Sequence, residues 1–317
     1  MIRVGVIGAG AFGSEHARVY SQFAGSRLAV VCDIDESRGR PVAERYGADF
    51  VADYRELIGR TDAASLTVPT ESHAAIACEL LDARIAVLVE KPIAGTLAEA
   101  DRIIEAAKRG GAVLQVGHLE RFNPAVMAAA RIITQPRFFE AHRLSIFTPR
   151  SLDIDVVMDL MVHDIDVVLS FVNSEVSEVR AAGVPILTPR IDIANARIEF
   201  ANGCVANLTA SRVSAERVRK LRFFQPSEYV SIDYAAQEAA IVGVKPRPGG
   251  RPEFVSRLLE VEQGEPLRLE IESFLAAVLG APVRITGNDG RRALSLAVDV
   301  TERIREHAAR VGVPFTG

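Results

Sequence analysis

The hydrophobic pattern changes partway along the chain. Up to about residue 117, short β-branched runs alternate with longer stretches whose apolar residues recur at helical spacing. This alternation predicts βαβ units and a mainly parallel sheet covered by helices on both faces. The strand-like runs are Arg3–Ile7, Leu28–Cys32, Ala64–Val68, Ile85–Val89 and Val113–Val116, and the helical stretches are Phe12–Phe23, Glu36–Tyr46, His73–Asp82 and Leu97–Arg109.

Two local signals predict where helices begin in this part. Thr96-Leu97-Ala98-Glu99 has the form of a capping box, so a helix is expected to start directly after Thr96. Pro41 lacks the N–H that a helix interior needs, so the helix in that region is expected to begin near Pro41.

After Gly117 the pattern predicts a different architecture. Consecutive strand-like segments without intervening helices are typical of an antiparallel sheet, and Asn202-Gly203 between two of them is a strong hairpin signal. The strands are Val176–Ala182, Ala194–Phe200, Cys204–Ala210, Lys220–Phe224, Tyr229–Asp233 and Ala239–Val244; the helices are Pro124–Ile133, Ile154–Phe171, Pro266–Leu279 and Asp289–Val311. We therefore expect an α/β protein. A doubly wound (Rossmann) parallel-sheet domain at residues 1–118 precedes an α+β domain, built on a largely antiparallel sheet, at residues 119–317.

Composition narrows the class of protein. Of the 317 residues, 49% are hydrophobic and 25% are charged, as in an ordinary globular protein. The net charge of −4 and the pI near 5.9 argue against nucleic acid or an anionic membrane surface as the main partner. No apolar run reaches the roughly 18 residues that a membrane span needs, and no export signal is visible at the start.

The cysteines give no sign of a disulfide framework. Cys32, Cys78 and Cys204 are far apart and form no C-x-x-C pair. That usage is typical of a reducing compartment, so a soluble cytoplasmic protein is expected.

A glycine-rich turn follows the first predicted strand. Gly8-Ala9-Gly10-Ala11-Phe12-Gly13 begins a predicted helix. Glycine fits where the chain turns tightly and where the backbone approaches a pyrophosphate, and the N–H groups at a helix start favour phosphate. The alternative is that these glycines only make a tight turn. The dinucleotide-binding residues expected here are Gly8, Gly10, Ala11, Phe12 and Gly13.

An acidic residue ends the second predicted strand. Asp33 follows Gly13 by about twenty residues, where dinucleotide-binding domains carry a ribose-binding carboxylate. Such a carboxylate accepts hydrogen bonds from the adenosine 2′-hydroxyl and repels a 2′-phosphate. No arginine follows directly, so NAD is expected rather than NADP, with Asp33 and Ile34 at the ribose. Alternatively, Asp33 is only a solvated strand end.

Two further polar segments, Val68–His73 and Glu90–Pro92, follow predicted strands of the same sheet. Ligands bind at the carboxyl ends of strands in open α/β sheets. A lysine there can donate to a substrate hydroxyl and stabilise alkoxide character, although Lys91 alone fits equally well as a surface lysine before a turn. The cofactor contacts expected from these segments are Val68, Pro69, Thr70, His73, Glu90, Lys91 and Pro92.

A polar stripe marks the predicted helix at residues 154–171. Asp155, Asp159, His163 and Asp166 recur at spacings of four, four and three residues among mostly apolar neighbours. Because unpaired buried carboxylates are costly, a cleft that uses them is expected, with His163 as the base and Asp159 orienting its imidazole. A satisfied buried polar network is the structural alternative. Zinc also suits an Asp–His pair at this spacing, but no metal is expected.

Together these motifs resemble the glucose–fructose oxidoreductase/inositol dehydrogenase/MocA (Gfo/Idh/MocA) family of NAD(P)-dependent sugar dehydrogenases. The resemblance covers nearly the whole chain, in the family's order and spacing. It is carried by Gly8–Gly13, Pro69-Thr70 with His73, Glu90-Lys91-Pro92, Gly117 with Arg121-Phe122 and Pro124, and Asp159–His163 with Asp166. It implies that Lys91, Asp159 and His163 are catalytic and that the Lys91–Pro92 bond is cis.

The segment 117–124 lies at the expected domain junction, a usual place for a substrate pocket. Arg121 could pair with a substrate phosphate or carboxylate, or equally make an interdomain salt bridge. The expected substrate residues are His118, Arg121, Phe122, Asn123 and Asp166. His118 departs from many relatives, and the Gly-Gly pair that often precedes the catalytic helix is missing, which weakens any transfer of free-sugar or inositol specificity.

This segment and the basic run at residues 217–224 resemble the branch that oxidises the 3-hydroxyl of UDP-N-acetylglucosamine, before a partner aminotransferase makes a 3-amino sugar for lipid A. We therefore expect a nucleotide-sugar substrate, with a free sugar or inositol as the alternative. The basic run fits equally well as a solvated strand with alternating charge. A dinucleotide-binding sensor without turnover is the non-enzyme alternative, which the presence of Lys91, Asp159 and His163 disfavours.

One face of the predicted antiparallel sheet is expected to pack on its own helices. The other face is a candidate subunit interface, as in relatives, so a homodimer or homotetramer is expected.

Overall fold

The computed structural model describes residues 1–148, 154–245, 251 and 253–312. Their contacts form two compact units, one of Met1–Leu119 with Glu265–Leu294 and the other of Glu120–Gly264 with Ser295–Gly317. The first division lies within one residue of the boundary expected from the sequence. The return of Glu265–Leu294 to the first unit was not expected.

The first unit is built on a six-stranded parallel sheet in the order β3-β2-β1-β4-β5-β6. This is the doubly wound order, in which strand order reverses beside β1 and leaves a crevice at the carboxyl ends of the strands. The predicted Rossmann architecture is therefore confirmed. Its strands are β1 (Ile2–Ile7), β2 (Ser26–Cys32), β3 (Asp49–Val51), β4 (Ala63–Leu66), β5 (Ala86–Glu90) and β6 (Leu114–Gly117); its helices are α1 (Ala11–Gln22), α2 (Glu36–Tyr46), α3 (His73–Asp82) and α4 (Leu97–Gly110).

Helix α7 (Pro266–Val278) joins the first unit because its apolar face completes that unit's core. Ile271 and Phe274 are fully buried in one cluster with Val4 and Tyr20. Burial of apolar surface contributes roughly 25 cal/mol per Å², so this face stabilises the packing of α7 on α1. The hydrophobic period of α7 predicted the helix but not which sheet it covers.

The two helix-start predictions had different outcomes. The capping box is present: the Thr96 hydroxyl oxygen accepts from the Glu99 N–H, and the Glu99 carboxylate accepts from the Thr96 N–H. The predicted start near Pro41 was wrong, because α2 begins at Glu36 and runs through Pro41. Proline deprives only the carbonyl four residues earlier, that of Ser37, and Ser37 is exposed to water.

The second unit is built on an eight-stranded sheet in the order β14-β13-β12-β11-β7-β10-β9-β8. The β7–β10 pair is parallel and every other pair is antiparallel, which confirms the expected largely antiparallel sheet. The strands are β7 (Phe138–Leu144), β8 (Val176–Val184), β9 (Ile193–Phe200), β10 (Val205–Ser211), β11 (Val218–Gln225), β12 (Glu228–Asp233), β13 (Glu238–Lys245) and β14 (Glu253–Leu258). Helices α5 (Pro124–Ala130) and α6 (Val162–Phe171) belong to this unit, and α8 (Gly287–Val311) begins in the first unit and continues in the second.

The hairpin predicted at Asn202-Gly203 joins β9 to β10, and Gly203 has a φ of 82°. Strand β7, in contrast, was missed although it is central in the sheet. Its buried positions include Arg143, so a charged residue occupies a core position and hides the alternation that identifies a strand.

No helix in the described part of the chain has both the length and the apolar character needed to cross a membrane.

Three aromatic rings pack together in the second unit. Phe223 is fully buried, with its ring centroid 5.7 Å from that of Phe139 and 5.9 Å from that of Phe171. The next residue, Phe224, lies on the opposite face of β11 and is 37% exposed.

We expect Phe223→Ala to lower the free energy of unfolding by about 3–5 kcal/mol, since it removes a buried aromatic ring and leaves a cavity. Phe224→Ala is the matched control on the other face, and its loss should be less than about half as large. Urea unfolding of both variants measures the difference. Equal losses would contradict the assignment of Phe223 to the core and Phe224 to the open face.

Candidate active site

The turn between β1 and α1 presents a helix N-terminus without a side-chain cap. Helix α1 begins at Ala11 after Gly10, and its first turn contains no acidic residue. The N–H groups of such a turn, together with the helix dipole, attract an anion. Phe12 is 39% exposed beside this turn.

The glycines of this turn make a close backbone approach. Gly8 has a φ of 92°, and a Cβ on Gly13 would lie 1.8 Å from the carbonyl oxygen of Gly8. A Cβ on Gly10, in contrast, would meet no atom within 4 Å. Helix and strand are therefore in contact at Gly13 while the space beside Gly10 is open, as a pyrophosphate against the backbone requires.

Asp33 lies at the end of β2 with its carboxylate held by the backbone. The Ala9 N–H donates to Oδ2 at 2.7 Å, and the Asp35 N–H donates to Oδ1 at 2.9 Å. Each oxygen keeps acceptor capacity for a ribose hydroxyl, and the fixed negative charge disfavours a 2′-phosphate. The neighbouring Ile34 is 94% exposed. These residues fit NAD, which supplies the hydride acceptor when bound.

His73 connects the loops that follow β4 and β5. It is buried, with Nδ1 3.0 Å from the carbonyl oxygen of Pro92 and Nε2 3.0 Å from that of Val68. Burial lowers the pKa of His73, against the effect of those two carbonyl groups. The structure therefore places this predicted cofactor residue inside the protein, bracing both loops, while Pro69 is exposed and Thr70 is half-buried beside it.

Lys91 follows the end of β5 and is half-buried. Its backbone N–H donates to Glu90 Oε2 at 3.3 Å, and the Lys91–Pro92 peptide bond is cis, as the resemblance implied.

Sequence reasoning missed a buried polar cluster behind Glu90. His16 Nδ1 lies 3.0 Å from Ser65 Oγ, which lies 2.8 Å from the Tyr20 hydroxyl, and burial raises the pKa of Tyr20. His16, Glu90 and Glu270 each place one side-chain nitrogen or oxygen atom within 4.8 Å of the others. Spacing on α1 indicates that His16 and Tyr20 share a face, but Ser65 and Glu270 come from distant segments and left no local signal.

The second unit carries Asp159 and His163 on consecutive turns. Asp159 lies in a π-helical turn, Val157–Met161, and His163 is the second residue of α6; both are half-buried. The helix predicted at residues 154–171 is present from Val157 to Phe171, but its first five residues form a π-turn rather than a regular α-helix. A π-turn changes the angular spacing, so the stripe is interrupted; such turns are frequent at functional sites.

The outer members of that stripe have structural partners. Asp155 accepts from the Ile191 N–H at 3.1 Å, and Asp166 accepts from Arg121 Nε at 3.0 Å. Asp166 thus pairs with Arg121 within one unit.

The other predicted substrate residues are largely buried. Asn123 caps α5 by accepting from the Ala125 N–H, and it donates to the carbonyl oxygen of Tyr234. Phe122 and His118 are buried in the second and first units, respectively.

A second network missed by sequence reasoning holds α6. Arg143 donates to both carboxylate oxygens of Asp164 at 2.8 and 3.0 Å and to Glu120 at 2.8 Å. Burial alone would lower the pKa of Arg143, but the two carboxylates raise it well above its usual value. Asp164, the residue after His163, is therefore attached to strand β7 by a bidentate ion pair with Arg143.

The basic run on β11 has acidic partners across the strands. Lys220 Nζ lies 3.5 Å from Asp233, and Arg222 lies 3.4 Å from Glu140. These exposed pairs fit the interpretation of a solvated strand with alternating charge.

Comparison with known families assigns both parts of the chain. Residues 2–118 match the oxidoreductase family with an NAD-binding Rossmann fold, and residues 129–225 match the GFO/IDH/MocA C-terminal domain.

Individual relatives are similar over different lengths. The UDP-N-acetylglucosamine 3-dehydrogenase of Acidithiobacillus ferrooxidans is 39% identical over 306 residues, covering 94% of this chain and 96% of that protein. A solved structure of it has a TM-score of 0.89 at 36% identity, covering 96% of this chain and 97% of that one. The inositol 2-dehydrogenase of Rubrobacter xylanophilus is 34% identical over 193 residues, or 58% of this chain and 56% of that protein.

Gly10→Ala and Gly13→Ala should affect different properties, NAD affinity in the first and folding stability in the second. With a φ of −65° and open space around its Cβ position, Gly10 accepts alanine without loss of folding stability, but the methyl group should weaken NAD binding by about tenfold or more. Gly13→Ala should lower the free energy of unfolding by about 1–3 kcal/mol, because its Cβ meets the Gly8 carbonyl. Calorimetric NAD titration and urea unfolding measure both. Unchanged NAD affinity in Gly10→Ala would remove this turn as the pyrophosphate site.

Proposed function

The chain belongs to the Gfo/Idh/MocA family of NAD-binding oxidoreductases, and we propose that it oxidises the 3-hydroxyl of UDP-N-acetylglucosamine. The supporting observation is the 39% identity to a UDP-N-acetylglucosamine 3-dehydrogenase over 94% of this chain. That length includes both the dinucleotide-binding unit and the unit that carries Asp159 and His163. A similarity confined to the Rossmann domain would support only the assignment of the cofactor, and not that of the substrate.

Three side chains divide the chemistry at the reacting hydroxyl. The His163 imidazole takes the hydroxyl proton as the carbon loses its hydride to NAD and the C–O bond becomes a carbonyl. Asp159 orients that imidazole and stabilises its cationic form. The Lys91 ammonium donates a hydrogen bond to the same oxygen and stabilises its developing negative charge.

The ion pairs around α6 support this division of roles. Arg121 pairs with Asp166, and Arg143 pairs with Asp164, on opposite sides of one turn of α6. With these two carboxylates already paired to arginines, Asp159 is the carboxylate that we assign to His163. Proton transfer to a base is efficient when the accepting atom is held in a fixed orientation, and these ion pairs restrain α6, which carries His163.

The proposal predicts reduction of NAD by the purified protein in the presence of UDP-N-acetylglucosamine. Absorbance of reduced nicotinamide should report a kcat/KM at least about tenfold above that for UDP-glucose, N-acetylglucosamine or myo-inositol, since binding of the whole nucleotide sugar contributes to specificity. Turnover of only a free sugar or inositol would overturn the proposed substrate but leave the family assignment unchanged. NAD binding without any reduction would favour a sensor.

A matched lysine pair controls this experiment. Lys91→Met should lower kcat by about a hundredfold or more without comparable loss of NAD affinity, because it removes the ammonium but keeps the chain length. Lys108→Met changes an exposed lysine of α4 that pairs with Glu105, and it should retain full activity.

A further inference from the structure

Two buried histidines flank the Glu90-Lys91-Pro92 segment. On one side, His16 Nε2 lies 3.4 Å from Glu90 Oε1. On the other, His73 Nδ1 lies 3.0 Å from the carbonyl oxygen of Pro92. The residue between these two contacts is Lys91, so its backbone is restrained from both directions.

The ring of His16 has a fixed orientation. It is fully buried, and Nδ1 lies 3.0 Å from Ser65 Oγ on β4, which in turn contacts the Tyr20 hydroxyl. Because these groups are shielded from water, the hydrogen-bonded chain determines which ring nitrogen points at Glu90. Nε2 is the nitrogen that faces the carboxylate.

Glu270 completes the cluster from a distant part of the sequence. This residue of α7 is fully buried, and the Gln115 side chain donates to its backbone carbonyl oxygen at 3.2 Å. A second carboxylate beside Glu90 stabilises the fold poorly, because burying charged groups opposes folding. Three titratable groups brought together from α1, β5 and α7 are therefore poorly explained by core packing alone.

Glu90 transmits this arrangement to Lys91. A Cβ on Gly117 of the adjacent β6 would lie 2.5 Å from Glu90 Oε1, so the glycine leaves the space that the carboxylate occupies. The other oxygen, Oε2, accepts from the Lys91 backbone N–H at 3.3 Å. One carboxylate thus connects the buried cluster to the backbone of the lysine.

We propose that His16 and Glu270 are positioning residues for Lys91: His16 holds the Glu90 carboxylate through Nε2, and the Glu270 carboxylate, within 4.8 Å of both groups, supports this pair, so that the backbone of Lys91 is fixed. The proposal rests on the function proposed for Lys91 at the substrate hydroxyl. Neither His16 nor Glu270 contacts the reacting atoms, and both act through Glu90.

The test compares His16→Phe and Glu270→Gln with a buried control. Both should lower kcat by about tenfold or more, since small displacements of a catalytic group cost much of the rate, while the KM for UDP-N-acetylglucosamine and the Kd for NAD change by less than about threefold. His16→Gln, whose amide can still face Glu90, should recover part of the lost kcat. Thr61→Val removes a buried hydrogen bond to Leu57 in the same unit and should lower Tm without lowering kcat.

A second measurement needs no substrate. Acetic anhydride labels lysines of the whole protein, and mass spectrometry gives the rate at Lys91 relative to the exposed Lys108. His16→Phe and Glu270→Gln should change that ratio by about threefold or more, because an amine's reactivity depends on its surroundings, and Thr61→Val should leave it unchanged.

Unchanged kcat and an unchanged labelling ratio in both variants, with a Tm loss like that of Thr61→Val, would assign the cluster to packing alone and overturn the proposal. A stoichiometric divalent cation whose removal by chelator alters the labelling ratio would also overturn it, since a metal would then hold Glu90. If the wild-type protein oxidises no nucleotide sugar, the proposed function fails, while the labelling ratio still decides the role of His16 and Glu270.

Discussion

The close approach of helix α1 to strand β1 determines where the functional groups of the first unit lie. A Cβ on Gly13 would be 1.8 Å from the Gly8 carbonyl oxygen, so only glycine allows this distance. At that distance the N–H groups in the first turn of α1 face the proposed pyrophosphate site. One turn later, His16 faces Glu90, the residue before Lys91. The contact between Gly13 and Gly8 therefore fixes α1, and α1 carries His16 to the segment that contains Lys91.

In the second unit, buried ion pairs restrain the helix that carries His163, the proposed base. Arg143 holds Asp164, and Arg121 holds Asp166, on either side of one turn of α6. Such pairs contribute little net stability, yet removal of one partner costs about 3–5 kcal/mol because a buried charge remains. Their consequence here is a restrained helix on both sides of one turn near His163, as the role proposed for that residue requires.

The sequence predicted most of what depends on neighbouring residues: the alternation of strands and helices, the capping box at Thr96 and the glycine turn. It failed where distant residues decide. The helix tolerates Pro41 because the residue whose carbonyl loses its helical partner, Ser37, is exposed to water. Strand β7 was hidden by the buried Arg143. The cluster of His16 with Glu270 depends on α7 returning to the first sheet, which no local pattern reveals.

In the proposed reaction, hydride leaves carbon 3 of a nucleotide sugar. The most direct measurement uses UDP-N-acetylglucosamine deuterated at carbon 3 of the sugar, with the mass of the reduced nicotinamide determined after turnover. We expect the deuterium to appear in NADH, and substrate deuterated at carbon 4 to leave NADH unlabelled. Label transferred from carbon 4, or NADH formed while carbon 3 keeps its deuterium, would contradict it.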